Sequence, residues 1–494
     1  MTMSDEPDFE MEVVRNDELD SAGSDSNSET PSHRGEGEAD DSDSIAADSD
    51  SREQGGEMGR SGRSSGEDDG NQEVFGLGRV PDDWKIRSLP KVAVIEMGSS
   101  PPSATYNEEG EGLPFYQGNA DFGHMKPKVS TWCSDPVKTA DRDDVLISIR
   151  APVGDLNIAD EHCCIGRGLA ALRPNGVNGL YLYYGLAQRS RWLARLASGS
   201  TFKSVSSADL EKVDLPVPPL PEQRKIASVL YAVDQAIQKT EAIIEQAQRV
   251  SRGLIEKLTM WGIGHSEFKK IDVTPKFLDV EVPRKWEKVS YAEVTENITY
   301  GFTNPMPESD YGRWRITAKD IREGKIHYDE AGKTTEEAYR ERLTGKSRPE
   351  VGNVLVTKDG TLGRVGVVDR QGICINQSVA SIRPKKEKIT SEYLALTIKS
   401  PLVKKLIKSH NPQTTIGHIK ISELAEWEFP LPPVEEQNEI VRIVDSVREK
   451  IQNERNKKQR LQRLKKGLMQ DLLTGEVRTA DRAIEVLEEV QAHG

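Results

Sequence analysis

Residues 222–260 read EQRKIASVLYAVDQAIQKTEAIIEQAQRVSRGLIEKLTM, and residues 436–474 read EQNEIVRIVDSVREKIQNERNKKQRLQRLKKGLMQDLLT. Shifted by 214 positions, their apolar sites coincide: Ile226 with Ile440, Leu230 with Val444, Val233 with Val447, Ile237 with Ile451, Leu254 with Leu468 and Leu258 with Leu472. The steps alternate four and three. A stripe that repeats every 3.5 residues predicts two long helices burying a common seam, to which Ile244 and Leu461 also belong.

The approaches to the two stretches repeat as well. Leu215-Pro216-Val217-Pro218-Pro219 leads to Pro221-Glu222-Gln223, and Phe429-Pro430-Leu431-Pro432-Pro433 leads to Glu435-Glu436-Gln437. Proline fixes φ and lacks an amide donor, so each run is a stiff extended lead into a first helical turn. Acidic residues then stand at the positive end of the helix dipole. Gly253 and Gly467 recur late in each helix, with terminal glycines at Gly262 and Gly475. Prolines, Glu-Gln and glycines in one register indicate an internal repeat rather than two unrelated surface helices.

Working outward, Val80-Pro81-Asp82-Asp83-Trp84 opens a globular block before the first helix, and Val282-Pro283-Arg284-Lys285-Trp286 opens another before the second. Phe115-Tyr116-Gln117-Gly118-Asn119-Ala120-Asp121 is echoed by Trp314-Arg315-Ile316-Thr317-Ala318-Lys319-Asp320. The β-branched runs 144–149 and 353–358 read as strands, each followed by glycine at Gly154 or Gly363. Cys164-Ile165-Gly166-Arg167 aligns with Cys374-Ile375-Asn376-Gln377, and helical segments follow over 180–197 and 392–409. Gly199-Ser200-Thr201-Phe202-Lys203-Ser204 closes the first block and Gln413-Thr414-Thr415-Ile416-Gly417-His418 the second. Short strands mixed with helices predict an α+β fold in each block.

The formal charge of −14 over 494 residues is unevenly placed. Residues 1–70 hold 22 acidic and 5 basic side chains, so the rest of the chain is near +3. This Ser, Asp, Glu and Gly-rich start buries too little apolar surface to offset the entropy of ordering, and it reads as a disordered acidic tail. It has no basic start and apolar core of a signal peptide, and no apolar run reaches the length of a membrane span, so a cytoplasmic location is expected. Cys133, Cys163, Cys164 and Cys374 lack paired metal-ligand spacing and read as buried thiols.

Catalytic signatures are missing. Thr344-Gly345-Lys346-Ser347 resembles the end of a phosphate loop, but the upstream glycine such a loop needs falls at Arg340. No dinucleotide or S-adenosylmethionine turn, nucleophile elbow or zinc pair occurs, and no motif for holding a flipped base. His124, His162, His327, His410 and His418 are scattered. A binder is indicated rather than a catalyst.

Two similar blocks joined by helices of ~50 Å would be held apart by a distance comparable to a turn of duplex DNA, about 34 Å. Candidate contacts to phosphate or guanine are Arg150, Arg167, Lys203, Arg313, Arg315, Lys319, Lys358 and Arg364. Candidates for adenine edges are Gln117, Asn119, Asn376 and Gln377. Thr201, Thr415 and His418 of the closing motifs complete the set. The two halves carry different residues, so their half-sites should differ. Read singly, each of these side chains also suits an ordinary solvated surface. A helical hairpin displaying two protein-binding domains fits the same pattern, and salt-sensitive binding to a bipartite duplex separates the two classes.

The repeated Leu-Pro-Val-Pro-Pro-Leu-Pro-Glu-Gln and Phe-Pro-Leu-Pro-Pro-Val-Glu-Glu-Gln, with Gly199-Ser200-Thr201 and Thr414-Thr415 before them, resemble the DNA specificity (S) subunit of type I restriction-modification systems. The resemblance runs from about residue 75 to 476; the acidic tail has no counterpart in it, and Gln413 stands where the first half has Gly199. It implies an acidic tail (1–73), target-recognition domain 1 (74–218), a conserved helical spacer (219–265), target-recognition domain 2 (266–432), a second spacer (433–476) and a C-terminal tail (477–494). The spacers would pair as a long antiparallel two-helix coiled coil. The resemblance further implies a non-catalytic subunit that binds double-stranded DNA and docks two modification (methyltransferase) subunits and restriction (translocase/endonuclease) subunits. S-adenosylmethionine, ATP and magnesium would then belong to those partners, with no cofactor or metal here and no membrane contact. Deleting residues 1–70 is expected to leave DNA sequence preference unchanged in a duplex-binding competition; lost preference would give the tail a part in recognition.

Overall fold

The computed structural model describes residues 73–74, 78–197, 204–273, 278–410 and 417–478. The expected acidic tail, apart from Glu73, and the residues beyond Arg478 lie outside them.

The first block contains β1 (Lys85–Ser88), β2 (Ala93–Met97), β3 (Leu113–Tyr116), β4 (Val145–Ser148), β5 (Leu156–Ile158), β6 (Cys163–Ile165), β7 (Leu169–Pro174), α1 (Gly179–Ala197) and β8 (Asp214–Val217). Helix α2 (Leu220–Trp261) follows. The second block contains β9 (Glu287–Ser290), β10 (Thr295–Tyr300), β11 (Arg313–Ile316), β12 (Ile321–Arg322), β13 (Lys325–Ile326), β14 (Val354–Thr357), β15 (Val365–Val367), β16 (Ile373–Ile375), β17 (Val379–Pro384), α3 (Ser391–Lys399), α4 (Pro401–His410) and β18 (Glu428–Leu431). Helix α5 (Val434–Thr474) comes last.

The blocks share one topology. An antiparallel sheet runs β5-β4-β7-β2 in the first and β15-β14-β17-β10 in the second. A smaller sheet is built on a parallel pair, β3 with β6 or β11 with β16. A short antiparallel ladder, β1 with β8 or β9 with β18, brings the block's opening beside the lead into its long helix. Every residue of β4 and of β14 is buried, which is why both runs are apolar without alternation.

Two details depart from the sequence reading. The ladders set Phe115 beside Cys164 and Arg315 beside Cys374, so Phe115 corresponds to Arg315 and not to Trp314. The turn after β3 carries one more residue before its capping aspartate than the turn after β11, and an ungapped match cannot satisfy both ends. The helical segment expected over 392–409 is two helices, broken where Ser400 is extended before Pro401.

Helices α2 and α5 lie side by side in opposite directions. Lys465 pairs with Asp234 at 2.6 Å and Lys458 with Glu241 at 2.7 Å, so one helix descends seven residues as the other climbs seven. The apolar stripe is shared three ways. Ile226, Leu230, Val233 and Ile237 join Leu461, Leu468 and Leu472 in one core with Trp84, Tyr184 and Leu215 of the first block. Ile440, Val444 and Leu258 join Trp286, Tyr393 and Phe429 of the second. Ile244 and Ile451 are buried in mid-helix, while Leu254 and Val447 are only half-buried. No helix among the described residues is long and apolar enough to cross a membrane.

The recurring Glu-Gln explains how each block is fastened. Trp84 Nε1 donates to Glu222 Oε2 at 3.2 Å, and Trp286 Nε1 to Glu436 Oε2 at 2.9 Å. Buried Gln223 accepts from the Asn178 backbone N–H ahead of α1 and donates to the Pro218 carbonyl. Gln437 likewise accepts from Thr390 N–H ahead of α3 and donates to the carbonyls of Pro432 and Lys388. The far end of the opposite helix completes each joint. Glu436 Oε1 also accepts from Ile263 N–H at 3.0 Å and lies 2.7 Å from His265 Nε2, while Arg478 donates to both Glu222 and Asp83. Gly262 and Gly475 end the helices at positive φ, and a Cβ on either would collide with the neighbouring joint.

Truncating Trp286 to Ala is therefore expected to cost about 3–5 kcal/mol, and Gln437→Ala about 1–3 kcal/mol through orphaned backbone groups. Chemical denaturation of the full chain checks both; an unchanged midpoint for Gln437→Ala would remove the amide from the joint.

Candidate nucleic-acid interface

In the first block the strand-to-turn junction after β3 forms the floor of a recess of about 390 Å³. The Asp121 carboxylate accepts from the backbone N–H groups of Gln117 at 2.7 Å and Gly118 at 3.2 Å, which fixes the turn and leaves the Gln117 side chain exposed. Gly166 N–H donates to the Tyr116 carbonyl and Gly168 N–H to the Gln117 carbonyl, at 2.8 and 3.1 Å. A Cβ on Gly168 would strike that carbonyl, so the backbone can lie flush against Gln117 only without a side chain there. Arg167, between the two glycines, is exposed and rests on Ser100 Oγ through its backbone N–H and Nε. Arg150 leaves the end of β4 into the same recess with no side-chain partner among the described residues. Asn119 also lines it, and its amide donates to Asp155 at 3.1 Å. The recess thus gathers Gln117, Asn119, Arg150 and Arg167: two amides able to read base edges and two guanidinium groups suited to phosphate or guanine.

The second block treats its candidates differently. Asp320, buried, caps the turn after β11 by accepting from Thr317 N–H and Oγ1, both at 2.8 Å, and leaves Lys319 exposed. Gln377 is exposed as well, its backbone N–H fixed on the Phe302 carbonyl. Asn376 Oδ1 accepts from Ser378 Oγ at 2.6 Å. Lys358 is buried, 2.9 Å from Asp359, and its ammonium lies 5.6 Å from the centre of the Tyr300 ring. Arg313 is forked onto Glu336, holding that carboxyl down to about 2, and stacks on Tyr339. Arg315 donates to the Met306 carbonyl and to Glu308. These two arginines pin the start of the helix Glu336–Glu341 and the segment at Met306 and Glu308 to β11, a task that the spacing of basic residues does not disclose. Arg364 lines a different cleft, between the block and the helix pair.

Thr201, Lys203 and Thr415 lie outside the described residues. The segments that follow them dock alike, since Ser204 bridges Arg150 and His418 bridges Asp359. His418 Nδ1 is also bonded to the Asp359 carboxylate. Tyr300 was missed by sequence reasoning: Lys346 and Lys358 both stand 5.6 Å from its ring, a meeting that chain positions 300, 346 and 358 do not announce.

Comparison with known proteins gives these recesses a context. The family described as "Type I restriction modification DNA specificity domain" matches residues 81–249 and 283–463. The MjaVIII specificity subunit of Methanocaldococcus jannaschii is 24% identical over 420 residues, covering 82% of this chain and 96% of the relative. The EcoBI specificity subunit of Escherichia coli is 24% identical over 395 residues, covering 76% and 81%. A putative MjaX specificity subunit of M. jannaschii is 41% identical over 186 residues, and that match spans 37% of this chain and only 44% of the relative. The crystal structure of a type I restriction-modification S subunit from M. genitalium shares the fold with a TM-score of 0.51 at 14% identity, covering 79% of this chain and 96% of that one.

Replacing Arg150 or Arg167 with Ala is expected to weaken duplex binding about tenfold or more. Arg315→Ala is expected to lower the thermal midpoint instead. Fluorescence anisotropy with labelled duplexes and a melting curve distinguish the two roles, and wild-type duplex affinity in both recess variants would take the recess out of the interface.

Proposed function

Because the chain belongs to the type I restriction-modification DNA specificity family, we propose that its DNA specificity role is exercised on a bipartite, asymmetric site, each block reading one half. The observation that carries this reading is one topology found twice, at opposite ends of an antiparallel helix pair. Residues 74–218 and 266–432 serve as target-recognition domains, and residues 219–265 and 433–476 as spacers forming a two-helix coiled coil. Helices of 42 and 41 residues give a rod of about 60 Å. The unlike side chains of the two candidate surfaces support unlike half-sites.

The protein itself is non-catalytic in this reading and docks two methyltransferase subunits, which carry S-adenosylmethionine. Restriction subunits join them with ATP and magnesium. Gly253 and Gly467 support two matched docking surfaces. Both are exposed within helices, and beyond the adjoining residues and backbone of its own helix no atom among the described residues lies within 4 Å of a Cβ built on either. Each lowers helix stability by about 0.5–1 kcal/mol with no packing reason among the described residues. Glycine at both positions suits the close approach of a partner helix.

The test is an insertion that lengthens the rod. Four residues added to α2 between Lys239 and Arg252, with four added opposite them in α5, are expected to change the spacer between half-sites and leave both half-sites intact. Mapping N6-methyladenine in cells that carry the altered chain together with its partners reads the spacer directly; an unchanged spacer defeats the ruler.

A further inference from the structure

The end of the second block's sheet that supports Gln377 carries a polar group with no counterpart in the first block. The ladders set Met97 beside Ala170 and Tyr300 beside Ala380, and a glycine follows each, Gly98 or Gly301, where a Cβ would strike the carbonyl of Gly166 or of Ile375. The two segments are therefore equivalent. In the first block this segment reaches the recess of Arg150 and Arg167, since Ser100 lines it and supports Arg167. In the second, the Phe302 carbonyl accepts from the backbone N–H of exposed Gln377 at 2.8 Å, which puts Tyr300 two residues from that support.

Tyr300 is half-buried, and its hydroxyl is neither buried nor hydrogen-bonded among the described residues. Two ammonium groups stand 5.6 Å from the centre of its ring, and they are not alike. Lys358 is buried and matched by Asp359 at 2.9 Å. Lys346 is exposed, on the turn Gly345–Ser347, and has no ion pair among the described residues. The turn beneath it is fixed, because Thr299 Oγ1 donates to the Lys346 carbonyl at 3.1 Å and Ser347 is buried. Carboxylates of the adjoining segments are engaged elsewhere: Asp359 by Lys358 and His418, Asp320 by the turn it caps, and Glu296 and Glu350 by Arg383. The first block neutralises the same place internally. Glu96 stands where the second block has Thr299, and it holds Lys138 at 2.5 Å.

We infer that the Tyr300 hydroxyl and the Lys346 ammonium hold one phosphate of the DNA backbone, and so set the position of the second block on its half-site. The inference rests on the DNA reading proposed above. Both groups donate, so the ligand atom must accept. A guanine edge also accepts two bonds, but it suits a planar fork such as that of arginine, which a phenol and a flexible ammonium on separate segments do not form. A phosphate accepts a hydroxyl and a point charge without that constraint. The contact belongs to the second block alone, since the first has Met97 for the tyrosine and a paired lysine.

Fluorescence anisotropy of the full chain across a range of salt tests this, on duplexes carrying the site mapped by methylation and on one of unrelated sequence. Lys346→Gln and Tyr300→Phe should each weaken both kinds of duplex by a common factor of about three to ten, with sequence preference kept. Lys346→Gln should also flatten the salt dependence by about one in the slope of log affinity against log salt, and Tyr300→Phe should not. A neutral methylphosphonate stepped through the site should reveal one linkage whose substitution costs wild type that factor and costs Lys346→Gln nothing further. Wild-type affinity and slope in both variants would overturn the inference, and so would preference relaxed at a single base pair, which moves the contact to a base edge. Wild type that binds no duplex in a salt-dependent way would remove the DNA reading itself.

Discussion

A tryptophan indole donating to a glutamate at the start of a long helix, once in each half, is the contact on which the architecture turns. It joins three segments that the chain brings from far apart: the opening of a block, the first turn of one helix and the last turn of the other. Trp84 and Trp286 are almost wholly buried, so each joint combines a large apolar contact with a charge-assisted hydrogen bond shielded from water. The adjacent glutamine is buried and binds backbone groups that begin the block's own helix. Each block is thereby oriented on the rod at two points rather than tethered by its connecting loop.

With the frame held this way, the candidate surfaces are free to diverge. The turn after β3 and its counterpart after β11 both rest on a capping aspartate, Asp121 or Asp320, and both present an exposed side chain beyond it. In the first block the surrounding guanidinium groups are open. In the second, Arg313 and Arg315 are drawn into ion pairs with Glu336 and Glu308, Lys319 and Gln377 stay exposed, and the Tyr300 ring is flanked by two lysines. Equivalent backbone with unlike chemistry is what the proposed reading of two different half-sites would require.

How much of this was legible follows from the range of each interaction. The helices could be read because a 3.5-residue stripe is local and occurs twice. That the stripe is shared with the blocks could not, because Leu215 and Tyr184 reach Ile226 and Val233 only in the folded chain. Glu-Gln was visible as a repeated word without a meaning, since Glu222 meets a tryptophan 138 residues away. Among the candidate contacts, residue type gave Gln117, Asn119, Arg150 and Arg167, which meet in one recess. The same criterion gave Arg313 and Arg315, whose partners are Glu336, at the start of the short helix Glu336–Glu341, and Glu308, 23 and 7 residues away along the chain.

The two joints are alike in plan yet closed by different groups, and chain connectivity accounts for the difference. The second joint is approached continuously, through Ile263 and His265 just past α2. The first has to bring together Asp83 and Arg478, 395 residues apart, whereas Ile263 and Glu436 are 173 apart. Loop-closure entropy grows only with the logarithm of length, so the longer span costs less than about 1 kcal/mol more. Arg478 is well suited to offset a deficit of that size. Its planar fork donates to two carboxylates at once where His265 meets one, and its partial exposure keeps the gain modest. Asp83 and Arg478, fastened on these terms, hold the first block much as continuous chain holds the second, so the rod carries two blocks on an equal footing although only one of them lies between its helices in sequence.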